Sequence, residues 1–448
     1  MQQNLSFEQA PPFSVPSRFF LTAPLFGVAA GLLILYVGPD IFASRWTPAA
    51  LALTHLLTLG FINLVMCGAL MQMLPVLAGA ALPYPVAIGT GIHVLLTAGA
   101  VALAAGFLLP SPVSLRVATA LLVVGYGVFV VAVAYALTHA KAASETVTAI
   151  RFSVTSLFIT VGLGATLALE LVSGTTGINT VSLTNIHLVW GILGWIGLLV
   201  CGVAYQVVPM FQMTPRYPKW MLLYLTPLLF IGLIVWSGLF FAAGVDESNI
   251  AARWLPLCLS GYALFAIVTL RLQVRRKRST EDVTKDFWTL GMLSVLAAVV
   301  VHTARPYTAD IGGADAFLLG TLLLVGFAVS VINGMLYKIV PFLVWFHLQH
   351  RIIALNRASD ITVPNVKRVI PTISMRKHFR LHVAAFGLTV VAVLWPKWLV
   401  YPAGLLLAAS FLLLWRNLQR GVAVYVRYGR LLGDTRGVAK VRGGRDEM

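Results

Sequence analysis

Residues 55–75 read HLLTLGFINLVMCGALMQMLP, and the skeleton of this stretch returns twice more in the chain. Gly60, Phe61, Gly68, Gln72 and Pro75 recur as Gly194, Trp195, Gly202, Gln206 and Pro209, then as Gly326, Phe327, Gly334, Lys338 and Pro341. The shared pattern, G-[FW]-x6-G-x3-[QK]-x2-P, repeats at periods of 134 and 132 residues. Five positions matching three times say far more than a lone pair of small residues. A period of about a third of the chain implies an architecture repeated three times.

Composition sets the solvent in which that repeat folds. Hydrophobic residues make up 59% of the 448, charged residues 10%, and mean hydropathy is +0.89, values of a polytopic membrane protein rather than a soluble domain. Runs able to cross about 30 Å of hydrocarbon are expected near 19–41, 49–78, 85–109, 115–138, 150–173, 184–211, 220–244, 253–272, 287–304, 314–346, 380–396 and 399–417. The motif falls on the second, sixth and tenth of these. The expected fold is all-α and polytopic: about twelve transmembrane helices in three pseudo-equivalent four-helix groups at 17–140, 148–275 and 285–420, within a membrane domain at 17–420. The polar segment 1–16 has no basic start and no small-residue cleavage site, so it reads as retained. A basic tail, 421–448, closes the chain.

Lysine and arginine asymmetry orients the spans. With the N-terminus inside a bacterial cytoplasmic membrane, Arg216, Lys219, Arg271, Arg275, Arg276, Lys277, Arg278, the loop from Arg351 to Arg380 and the tail from Arg416 onward are all cytoplasmic. Asp40, Asp246, Glu247, Asp310 and Asp315 then fall on the outer side, and both termini are cytoplasmic. The net charge of +17 belongs to segments facing anionic headgroups, which makes the lipid bilayer its partner and argues against nucleic acid. Cys67, Cys201 and Cys258 form no CxxC pair and no disulfide framework. At the inner ends of the motif, Gln72, Gln206 and Lys338 are expected to form a polar ring above Pro75, Pro209 and Pro341.

Any chemistry rests on histidine, which is expensive inside a bilayer unless paired or ligated. His55, His187 and His302 lie toward the outer face, His93 lies about two turns into the third span, and the pairs His347/His350 and His378/His382 lie at the inner boundary. Gly191 and Gly194 follow His187 at i+4 and i+7, leaving a side-chain-free strip that a porphyrin plane or a neighbouring backbone would fit. In the repeat frame His55 aligns with Val189, two residues beyond His187, an offset of about 200° around an α-helix. On that count, and without a helical bulge, His55 and His187 face different inter-helix spaces and hold separate ligands.

Twelve helices in three groups, with histidines entering from the outer ends of helices 2 and 6, resemble subunit I of the haem-copper oxidases, and within that superfamily the divergent NnrS-like branch linked to nitric oxide metabolism. The resemblance covers roughly residues 18–420. It implies that His55 ligates a haem b and that His187 holds a second haem or copper, with His302 and His93 as further partners and Arg305 beside a propionate. It also implies a quinol or cytochrome c as electron donor. The chain departs from the pattern in two places: the seventh span contains no histidine, and Thr321 stands in the tenth span where the frame of His55 recurs. A complete dioxygen-reducing centre is therefore not expected.

Two function classes remain in view: a haem-binding, redox or nitric-oxide-handling membrane protein, and a transporter or metal-handling protein with structural histidines. Repeats sharing one topology, without inverted pairs of broken helices, weigh against the transporter. For orientation, a reporter fused after Met448 is expected to be active only in the cytoplasm; activity on the outer side would reverse the topology.

Overall fold

The computed structural model describes residues 11–140, 144–174, 179–242, 250–277, 280–307, 313–355 and 363–433. Asp246, Glu247, Arg278, Asp310, segment 1–10 and the tail beyond 433 lie outside the described residues. Among those described, twelve helices are long and apolar enough to span a membrane, and the protein is an all-α polytopic membrane protein. The spans are α1 (Ser14–Phe42), α2 (Pro48–Val76), α3 (Pro85–Leu108), α4 (Pro112–Thr138), α5 (Glu145–Ser173) and α6 (Thr180–Gln212). They continue as α7 (Lys219–Phe241), α8 (Trp254–Val274), α9 (Val283–Ala304), α10 (Ala314–Ala354), α11 (Thr372–Leu394) and α12 (Pro396–Leu432). Helices are the expected outcome, because backbone groups in hydrocarbon must be satisfied within their own segment. Side-chain caps complete several N-termini: Thr47 accepts from Ala50, Ser111 from Ser114, Ser144 from Val147, and Asn179 from Ser182.

The helices close into a ring of three groups, with α4 packed on α5, α8 on α9, and α12 back on α1. The motif helices form its centre. The most apolar windows of α2, α6 and α10 are 72%, 78% and 61% buried, against 22–50% for the other nine. The ring of Phe13 lies 4.5 Å from that of Tyr425, which sets both ends of the described chain at one end of the bundle, called here the terminal end.

Each motif glycine marks where a central helix meets the first helix of its own group. An added Cβ at Gly60 or Gly68 would strike Phe26 or Phe19 of α1; at Gly194 or Gly202, Ser156 or Ala149 of α5; at Gly326 or Gly334, Ser294 or Phe287 of α9. Small residues are the usual means of close approach between helices in lipid. Spaced by eight residues, however, two glycines on a plain α-helix sit about 80° apart. The structure removes that mismatch with π-helical segments at Leu56–Asn63, Trp190–Gly197 and Thr321–Val329, which begin at or before the first glycine of each pair. A π insertion absorbs one residue, so the i, i+8 pair behaves as i, i+7 and both glycines return to one face. Threonine hydroxyls reinforce two of the three seams: Thr146 donates to the Gly202 carbonyl and Thr284 to that of Gly334, each at 3.0 Å.

Three expectations change. No polar ring joins Gln72, Gln206 and Lys338: Lys338 pairs with Asp282 at 3.1 Å, at the N-cap of α9, and Gln72 Oε1 is buried without a partner. The tenth span, expected to close near 346, runs on to Ala354 with Val344, Leu348 and Ile352 buried. The segment after 420 begins as helix, α12 continuing to Leu432 along a face where Gly421 lies close to Val340 and Ile370.

Gly334→Val, whose first side-chain carbon would meet Phe287 Cβ at 2.9 Å and the Thr284 carbonyl at 3.1 Å, is expected to cost about 1–3 kcal/mol by overpacking. Gly127→Val, with nothing within 4 Å, should leave the melting temperature in detergent nearly unchanged. Equal shifts in the two would remove the glycine seam as an explanation of the repeat.

Candidate functional site

At the end of the bundle opposite the termini, the helices enclose a cavity of about 1620 Å³ that reaches from Arg45 and Arg305 at its mouth down to Asn63 and Trp195. His55, His187 and His302 all line it. His55 comes from the last turn of α2 before its π segment, and His187 from the corresponding part of α6.

The two imidazoles meet. Their ring centroids are 6.5 Å apart and their planes differ by 25°. The expectation of separate inter-helix spaces is thus corrected, and the reason lies in the ring arrangement of the groups. Equivalent positions on α2 and α6 point the same way around the ring, so side chains that meet across the space between two neighbours must come from opposite flanks. An offset of about 200° supplies opposite flanks.

Hydrogen bonds orient both rings. His55 Nδ1 donates to the Leu51 carbonyl at 2.7 Å, and His187 Nδ1 donates to the Thr160 carbonyl of α5 at 3.0 Å. A carbonyl only accepts, so in each ring the proton sits on Nδ1 and Nε2 keeps its lone pair. Thr54 and Thr58, the nearby hydroxyls, do not serve His55: they donate to the carbonyls of Ala50 and Thr54. His187 lies directly on Gly164 of α5, where a Cβ would stand 2.9 Å from its Cε1. That glycine was not apparent in the sequence. Phe107 of α3 flanks His55 with its ring 5.4 Å away.

The strip after His187 divides. Gly191 lines the cavity, whereas Gly194 is consumed in packing on Ser156. His302 stands at the mouth with Arg305, whose guanidinium pairs with Asp315 at 2.6 Å. His93 is not brought to this site. It shares a 2.9 Å hydrogen bond with Thr22 of α1 and lies edge-on to Phe19. Of the two terminal-end pairs, His378 bonds Tyr337 and Ser410 and His382 bonds Ser330, while His347 and His350 both lie against Phe346. Among the described residues no group of three or more His, Cys, Asp or Glu is placed to hold one ion.

Below the histidines, the Trp195 indole donates to Asn63 Oδ1, a second tie between α2 and α6. Asn63→Leu would strand a buried indole N–H and is expected to destabilise the protein by about 1–3 kcal/mol, while Asn63→Leu with Trp195→Phe should recover part of that loss. Thermal melting of the two variants checks this; no recovery would mean that Asn63 acts through something other than the indole.

No protein-family model matches the chain, and no curated protein is similar to it at a level that carries an argument.

Proposed function

We propose that the protein is a haem-binding redox protein of the membrane, in which His55 and His187 would together hold one haem b between α2 and α6. The observation that carries this reading is the imidazole pair itself. Two nitrogen–metal bonds of about 2 Å, added to the distance from each nitrogen to its ring centre, require centroids roughly 6 Å apart, and the pair stands at 6.5 Å. Each ring also donates Nδ1–H to a carbonyl, the arrangement that fixes tautomer and orientation in metal-ligating histidines. A bare copper(I) ion would need the same spacing but no chamber of 1620 Å³ lined mainly by apolar side chains, which suits a macrocycle.

The haem, when bound, supplies one-electron chemistry. The chain would supply the His55 and His187 imidazole nitrogens and a mainly apolar lining, with Arg45 and Arg305 at the mouth. With both imidazoles engaged in holding the group, the site would suit electron transfer better than binding of nitric oxide. The electron donor would approach from the mouth, which the basic-loop asymmetry puts outside a bacterial cytoplasmic membrane.

The test is an optical spectrum. Protein from haem-replete cells should show a Soret band and reducible α and β bands, at one haem per chain. His55→Ala and His187→Ala should each lower haem content several-fold without preventing membrane insertion. His93→Ala should match the parent, since that ring is held by Thr22 and Phe19. Gly164→Ala, which crowds the His187 ring at 2.9 Å, should lower haem occupancy part of the way. A colourless stoichiometric preparation would overturn the haem assignment and favour transport. Copper without haem in the parent, lost in both histidine variants, would replace haem by a single ion.

A further inference from the structure

On the lipid-facing side of the bundle, α1 and α12 run against each other in backbone contact. A Cβ at Gly31 would meet the Ala408 backbone nitrogen, and one at Gly404 would stand 2.9 Å from the Gly31 carbonyl. Toward the terminal end the two helices part company in length. α1 begins at Ser14, beside Tyr425, and α12 continues to Leu432. At 37 residues α12 is about 55 Å long, well beyond the roughly 30 Å of a hydrocarbon core, so its last two turns stand at the level of the headgroups.

At that step a groove of about 720 Å³ opens between the helices. Its floor is apolar, built from Leu21 of α1 with Val422 and Val426 of α12, and its rim carries Arg427 and Arg430. The arginines are one turn apart on one face, near enough to share a single phosphate. Neither makes a hydrogen bond or ion pair among the described residues. Nothing on the two helices neutralises them: α12 contains no acidic residue, and the one in α1, Asp40, lies at the opposite end.

We infer that this groove is a binding site for an anionic phospholipid, its phosphate held between Arg427 and Arg430 and one acyl chain lying over Val426, Val422 and Leu21. The division of chemistry along the groove points to a lipid rather than a free anion. The apolar lining runs from Leu21, well inside α1, past Val422 to Val426, and the two arginines follow toward the end of α12, in the order in which a phospholipid presents chain and headgroup. The site is remote from the histidine cavity, and the inference stands apart from the haem assignment.

The experiment is native mass spectrometry of the full chain released from nanodiscs containing equal amounts of dioleoyl phosphatidylglycerol and dioleoyl phosphatidylcholine. The parent should retain phosphatidylglycerol preferentially. Arg427→Gln with Arg430→Gln should lower that retention on the order of tenfold. Arg416→Gln, a charge loss on the same helix outside the groove, should leave it unchanged. Leu21→Trp, which fills the floor while keeping both charges, should also lower it. Equal loss in Arg416→Gln would show diffuse surface attraction and overturn the site. A Leu21→Trp protein that keeps its phosphatidylglycerol, or displacement of the lipid by millimolar inorganic phosphate, would show that the rim binds anions without a chain and overturn it as well.

Discussion

In lipid, helices gain nothing by hiding apolar surface from one another, so their association depends on how closely their backbones can approach. Here that approach is made six times by the same means, at two glycines on each of three central helices. Everything else follows from keeping those glycines in phase. Their spacing of eight would place one of each pair on the wrong face of an α-helix. The π segments at 56–63, 190–197 and 321–329 restore them to one face, so that α2, α6 and α10 each lie flat on α1, α5 and α9. The motif aromatic beside the first glycine then serves the neighbouring group: Phe61 packs on Phe411 of α12 and Trp195 on Phe129 of α4. Within-group and between-group contacts thus come from adjacent residues of one motif.

That ring places the cavity. Three central helices related by rotation have three spaces between them, and a pair of side chains meeting in one space must come from unlike positions on the two helices. His55 and His187 satisfy this for the space between α2 and α6, where Asn63 and Trp195 also join. The counterpart of His55 on α10 is Thr321, so a facing pair of histidines occurs in only one of the three equivalent spaces among the described residues. A threefold scaffold has become a one-sided site.

Most of the architecture was legible in the sequence because hydropathy and the recurring motif are strong, local signals. The twelve spans, their grouping and the central place of helices 2, 6 and 10 all follow from them. The site was legible in its parts but not in its assembly. His55 and His187 stood out as ionisable residues in apolar helices, yet comparison of equivalent positions separated them, because it measured rotation on each helix and ignored rotation of the helices around the ring. His302 does line the same cavity, while His93 serves the packing of α1 on α3. Gly164 had no signal at all: it is one glycine among 38, and only the ring of His187 lying on it makes it matter. The sign of the bulges was present throughout, in a glycine spacing of eight where an α-helix would ask for seven.

The π segments carry a consequence for how such a chain can change length. Membrane helices ordinarily tolerate insertions and deletions poorly, since one residue turns everything beyond it by about 100°. Between the paired glycines of this protein one residue is already surplus to the α-helical count, stored in the π turn. Losing a residue from 61–67, 195–201 or 327–333 would convert the segment to plain α-helix and leave both glycines of the pair on one face. Each central helix therefore contains a short interval in which the reading of faces is buffered against a change of one residue, and the three repeats could have acquired or shed that residue independently without rebuilding the bundle.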